Sequence, residues 1–164
     1  MPAIISKLDR CWGCISANWR AALIALLVAN AGRAQTLDQQ ERCATQAKRA
    51  YQEIQASDLA EGKAIGVSEI DSNYRSHYNT KMGKCLMLVK KNRMLGAGNS
   101  STTAYLIDAN ERRPYATYVW ISQKDKKYWE VPPSACELDR SLREKKTCKT
   151  REEFDAFVAG YLEE

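Results

Sequence analysis

His77 is the sole histidine of this 164-residue chain and the first residue to weigh for chemistry. It lies in Tyr74-Arg75-Ser76-His77-Tyr78-Asn79. An imidazole exchanges protons near neutral pH, so His77 is a candidate general base. The adjacent Ser76 suggests a nucleophile beside it. On a strand, however, consecutive side chains point to opposite faces, so these two do not form a dyad. No Gly-x-Ser-x-Gly elbow occurs to supply another serine. A hydrolase built on His77 needs a carboxylate from elsewhere. Glu69 and Asp71 before the first strand, and Asp108 at the end of the third, are the candidates. Acid–base work requires such groups to converge in a cleft. The alternative is a structural histidine hydrogen-bonded at the sheet, with solvated acids in the loops.

Cysteines are the second chemical signal, and there are six. Cys11-Trp12-Gly13-Cys14 has the spacing of a thioredoxin-type redox pair. Such a pair needs a strand before it and a helix after it to lower the thiol pKa. Here it precedes an apolar run instead, which argues against a redox role. Cys43, Cys85, Cys136 and Cys148 remain. An even number in an oxidising compartment reads as two disulfides. Four cysteines allow three pairings and the sequence does not choose among them. The expected set is Cys43–Cys85, tying a helix to a strand, and Cys136–Cys148, closing a short polar loop. None of the four has a partner two to four residues away, the usual spacing within a zinc site. No metal and no cofactor are expected.

The aromatic segment from Tyr115 to Trp129 is the third. Tyr115, Thr117, Val119 and Ile121 alternate with Ala116, Tyr118 and Trp120. Both faces of such a strand are largely apolar. Either it is buried on both sides, or one face is exposed for binding. Tyr118, Trp120 and Trp129, with Tyr128 beside the last and Arg112, Arg113, Lys126 and Lys127 flanking, are the candidate binding residues, suited to stack on sugar rings or an extended partner. Asn99-Ser100-Ser101 is a glycosylation sequon, relevant only in a eukaryotic secretory host.

These residues depend on where the chain works. Lys7, Arg10 and Arg20 give the start a positive balance against Asp9. The run Ala21-Ala22-Leu23-Ile24-Ala25-Leu26-Leu27-Val28-Ala29 follows, then the small residues Ala31, Gly32 and Ala34. That order is the order of a secretory signal, and the run is too short for the roughly 20 residues of a membrane span. Residues 1–34 are expected to be a signal peptide, cut after Ala34 or, alternatively, after Ala31. No cysteine follows either cut, so a lipid anchor is not expected. The leader carries four Lys or Arg against one Asp. Removing these from 25 basic and 20 acidic residues leaves 21 and 19, a net charge of +2 rather than +5. A nearly neutral domain carries no electrostatic footprint for nucleic acid. Residues 35–164 are expected to fold as one exported domain, with no membrane span once the leader is gone.

The elements that must position the candidates follow from periodicity. Thr36 and Gln39 have capping-box spacing. Cys43, Ala44, Ala47, Ala50, Tyr51 and Ile54 recur at helical intervals, predicting a helix over about 37–55. Residues 56–72 read as a polar loop, with at most a short helical turn. Strands are predicted over 73–80, 84–91, 102–109 and 115–122, with a fifth over 127–131. Gly83 marks the first hairpin turn, and Pro114 opens a strand, a position proline tolerates. Thr150 and Glu153 form another capping box. Phe154, Phe157, Val158, Tyr161 and Leu162 make one helical stripe behind it. The fold class is α+β: an N-terminal helix, an antiparallel meander of four to five strands, a C-terminal helix and two disulfides.

Two segments carry a resemblance. Tyr74-Arg75-Ser76-His77-Tyr78-Asn79-Thr80-Lys81 with Lys84-Cys85-Leu86 resembles small exported bacterial proteins of uncharacterised function. Cys148-Lys149-Thr150-Arg151-Glu152-Glu153-Phe154-Asp155-Ala156 is similar to them too. The resemblance covers most of the chain from Cys43 onward. It implies a bacterial periplasmic or secreted setting and brings no activity. Three functions are open: a non-catalytic binding or inhibitor-like module with an envelope protein or a glycan as partner; a small periplasmic hydrolase using His77 and a loop carboxylate; and an envelope structural protein.

Overall fold

The computed structural model describes residues 12–65, 67–95, 98–141 and 144–163, with side chains from Leu37 onward except at 65, 69, 70, 140, 141 and 144. Cys11 and the basic start of the expected leader lie outside the described residues. Two compact units result, 1–38 and 39–164. Of the first, the described part is helical backbone.

Helix α1 is Trp12–Ile65. Six strands follow: β1 Ser68–Asn79, β2 Lys84–Met94, β3 Ser100–Asp108, β4 Pro114–Ile121, β5 Ala135–Ser141 and β6 Glu144–Thr147. Helix α2, Arg151–Leu162, closes the chain. The strands form one sheet in the order β1-β2-β3-β4-β5-β6, every neighbour antiparallel. This is the expected α+β meander, with corrections. Among the described residues the sheet has six strands, not four or five. The expected fifth strand over 127–131 is a 3-10 turn, Tyr128–Glu130. The two true last strands were hidden by their composition. Among the described side chains β5 buries Cys136 and Leu138 alone, and Glu144-Lys145-Lys146-Thr147 has no apolar residue at all. Among the described residues no helix is long and apolar enough to cross a membrane.

Helix α1 also exceeds its predicted range at both ends. Thr36 and Gln39 lie inside it rather than at its start. At the other end it runs to Ile65, into the segment 56–72 read as loop, and β1 takes up the rest of that segment from Ser68. Asp58, in that segment, pairs with Lys91 and, at 2.8 Å, with Arg93 of β2. This tertiary anchor overrides the low helix propensity of Gly62.

The two helices cover opposite faces of the sheet. Cys43, Ala47, Ala50 and Tyr51 of α1 pack on Cys85, Met87, Val89 and Ile107. Phe154, Val158 and Leu162 of α2 pack on Leu86, Leu88, Leu106, Tyr118 and Leu138. Strand β2 lies between both, so its run Cys85-Leu86-Met87-Leu88-Val89 is buried without alternation. A continuous apolar run is what a strand covered on both faces requires.

Both disulfides are those expected. Cys43–Cys85 bolts α1 to β2 with Cα atoms 5.2 Å apart. Cys136–Cys148 spans 5.0 Å. The segment it closes is the β5–β6 hairpin, not an irregular polar loop. Two disulfides are the covalent mark of an oxidising compartment. Thr150 caps α2 as its spacing predicts, its hydroxyl accepting the Glu153 N–H at 3.3 Å. The Glu153 carboxylate reaches back to the Lys149 N–H at 3.0 Å, one residue earlier than the predicted partner.

Candidate functional site

His77 sits half-buried on β1, the outer strand. Its Nδ1 lies 3.5 Å from Gln40 Nε2 of α1. His77 is opposite Leu86 on β2, and Leu86 is opposite Asp108 on β3. Two strand spacings therefore separate His77 from Asp108, about 10 Å of backbone. The buried Leu86 stands between them. Asp71 is six residues along the same strand, about 20 Å away. The structure does not bring these groups together.

Asp108 is committed to a turn. Its Oδ1 accepts the Asn110 and Glu111 N–H groups at 2.8 and 3.1 Å. Its Oδ2 accepts Lys84 Nζ at 3.0 Å. Burial alone would raise its pKa. The two N–H donors and the ammonium outweigh that and hold the carboxyl below its usual range. The carboxylates of Glu111 and Asp108 in turn hold Lys84 above the usual ammonium range. Among the described residues no three His, Cys, Asp or Glu side chains gather as a metal would need.

The aromatic candidates do converge, with divided roles. Tyr118 is 1% exposed and Trp120 8%, so of the two alternatives for this strand these residues follow the buried one. Tyr118 packs on Phe154 with ring centres 5.6 Å apart. The Arg151 guanidinium lies 5.0 Å over its ring. Its hydroxyl meets that of Tyr128 at 3.0 Å. Burial, then the Tyr128 hydroxyl, push the Tyr118 phenol above its ordinary pKa. Trp120 packs against Tyr128 in a tilted arrangement with ring centres 4.8 Å apart, and its Nε1–H donates to the Val131 carbonyl at 3.1 Å. Tyr115 is not on the face expected for it. The ladder shifts between Leu106 and Ile107, and Tyr115 packs 5.9 Å from Tyr161 in the α2 core.

Tyr118 and Trp120 thus form the footing of the loop between β4 and β5. Within that loop, the Lys127 N–H donates to Glu130 Oε2 at 2.8 Å. The Glu130 N–H donates to the Lys127 carbonyl at 3.0 Å. Ser134 Oγ donates to the Val119 carbonyl at 3.0 Å, and Val131 is buried. Asp125 adopts the left-handed φ of 63°, tightening the turn before Lys127. On this pinned turn Trp129 is 75% exposed, and Tyr128 is 44% exposed. Lys127 Nζ lies 5.3 Å from the Trp129 ring centre. The arrangement offers a preset aromatic surface with a cation beside it.

Arg112 belongs elsewhere. It occupies the β3–β4 turn with φ 58° and pairs with Glu53 of α1. The eight residues of β4 separate it from the Trp129 loop, about 25 Å. Tyr128 and Lys127 belonged to the predicted aromatic segment and do sit with Trp129, whereas sequence reasoning missed Val131 as part of the site. Pro132-Pro133, which ends the turn, was the available signal. It also missed Lys91, 4% exposed and paired with Asp58. An open groove of about 570 Å3 lies beside α2, lined by Asn73, Arg75, Leu88, Lys90, Asp155 and Val158 among others. Neither His77 nor Trp129 lines it. No family model, curated protein or solved structure matches the chain.

Proposed function

We propose that the chain is an exported, non-catalytic binding module that engages another protein of the bacterial envelope through the loop Ser122–Ser134. Trp129 is the anchor of the contact. The observation that carries this is its 75% exposure on a turn whose neighbours Tyr128 and Val131 are fixed to the core. A large apolar side chain held in place loses little entropy on binding, which is why Trp and Tyr dominate contact energetics. Lys124, Lys126 and Lys127 outnumber Asp125 and Glu130 around it, so the partner surface is an apolar pocket with an acidic rim. Export rests on the leader-like order of residues 1–34 together with the two disulfides.

The test places a photoreactive residue at position 129 in cells, with position 137 as the control. A discrete protein adduct from 129 alone is the expected result, diminished by Lys127→Glu. Purified protein is also sedimented with isolated cell-wall glycan. Cosedimentation lost in Trp129→Ala would move the site to a glycan ligand. The absence of both an adduct and cosedimentation would overturn the reading.

A further inference from the structure

Strand β1 is one border of the sheet, and its ladder with β2 is unbroken from Asp71 to Asn79. Its outer side has already accepted one amide. Gln40 Oε1 accepts the Tyr78 N–H at 2.9 Å, and Gln40 Nε2 donates to the Tyr78 carbonyl at 3.0 Å. That pair of bonds is the pair an adjacent antiparallel strand residue makes. Outward groups recur every second residue. Ser72, Tyr74 and Ser76 therefore turn their N–H and C=O groups the same way as Tyr78. Among the described residues no hydrogen bond outside the ladder engages them. The window is bounded by the bulge between Glu69 and Asp71 and by Gln40 at Tyr78. The other border is different. Strand β6 has four residues and exposes Lys145 and Lys146, a blunted edge.

We infer that a second copy of this chain pairs at the β1 edge, antiparallel, with a two-fold axis at Tyr74. The resulting sheet has twelve strands. The occupant is another copy because this register is self-complementary. Ser72 falls opposite Ser76 and Tyr74 opposite its twin. On the other face Asp71 falls opposite His77, and Asn73 opposite Arg75, each twice by symmetry. Opposite charges and polar pairs facing each other across strands are stabilising, and like charges are not. Sliding the axis to Ser76 drives Tyr74 onto Tyr78, where Gln40 is seated. Sliding it to Ser72 runs the ladder into the bulge. The interface is isologous and closes at two, so it does not propagate into fibres.

Sedimentation velocity of the purified protein over a wide concentration range tests this. A monomer–dimer equilibrium is expected. Ser76→Pro removes only an outward N–H and should weaken the dimer more than tenfold, leaving the far-ultraviolet spectrum native. Asn73→Arg, at an exposed position, should weaken it without burdening the fold. Asn73→Asp places a carboxylate opposite each Arg75 and should tighten it by roughly tenfold. A monomer at every concentration would overturn the inference. So would a dimer indifferent to all three substitutions.

Discussion

The two faces of the sheet are held by different means. On the α1 face the helix contributes small residues, Cys43, Ala47 and Ala50, which let it lie close on β2. Close approach leaves little apolar volume per turn. The face is reinforced by Cys43–Cys85 and by charge pairs at its margin, Asp58 with Lys91 and Arg93, and Glu53 with Arg112. On the α2 face a helix of only twelve residues suffices, because Phe154, Tyr118, Trp120 and Tyr115 are large. The aromatic face is also the one that supports a display. Its rings reach past the strand end to hold Tyr128, and Tyr128 sets Trp129 in solvent. Covalent and ionic ties suffice to clamp a long helix. A rigid loop needs side chains big enough to serve as its floor.

Substitutions break that contrast in a definite order, read by urea or thermal unfolding. Phe154→Ala removes the centre of the α2 face and should cost about 3–5 kcal/mol. Replacing Cys43 and Cys85 together by Ala should cost about 4 kcal/mol, since the bridge closes a long loop. The same change at Cys136 and Cys148, whose bridge closes a shorter loop, should cost about 3 kcal/mol. Ala47→Leu overfills the α1 face and should cost about 1–3 kcal/mol, whereas a gain would mean the helix is not closely seated. Thr150→Ala removes the α2 cap for about 1 kcal/mol.

Acid should act chiefly on the Asp108 turn. Its carboxyl is lowered in the folded state, so its contribution is present above the unfolded carboxylate pKa of about 3.9. The contribution is lost as pH falls through the lower, folded value. Asp108→Asn should therefore flatten the acid limb of stability against pH and leave the neutral-to-basic limb unchanged in shape. An unaltered acid limb would remove Asp108 from the turn's energetics.

Much of this was legible because local pattern and burial agree. Phe154, Val158 and Leu162 were readable as a core stripe, and Thr150 as its cap. Cys43, Ala47 and Ala50 were readable as the buried face of α1. The disulfide pairing was one of three until the structure placed Cys43 beside Cys85. Strand β6 was illegible because an edge strand takes its stability from backbone pairing and needs no apolar residue. The end of α1 was illegible because Asp58 finds its partners on β2, more than thirty residues on. The division of labour among the aromatics was hidden for the same reason. Nothing local tells Trp120, whose N–H reaches Val131, from Trp129, which has no comparable seat.

Non-reducing peptide mapping with intact mass, on protein recovered from an envelope fraction of the producing cells, tests the proposed export of the disulfide-held domain most directly. The expected result is a chain beginning at Gln35, with Cys43 joined to Cys85 and Cys136 to Cys148. Cytoplasmic protein still bearing Met1, with those four cysteines as free thiols, would contradict it.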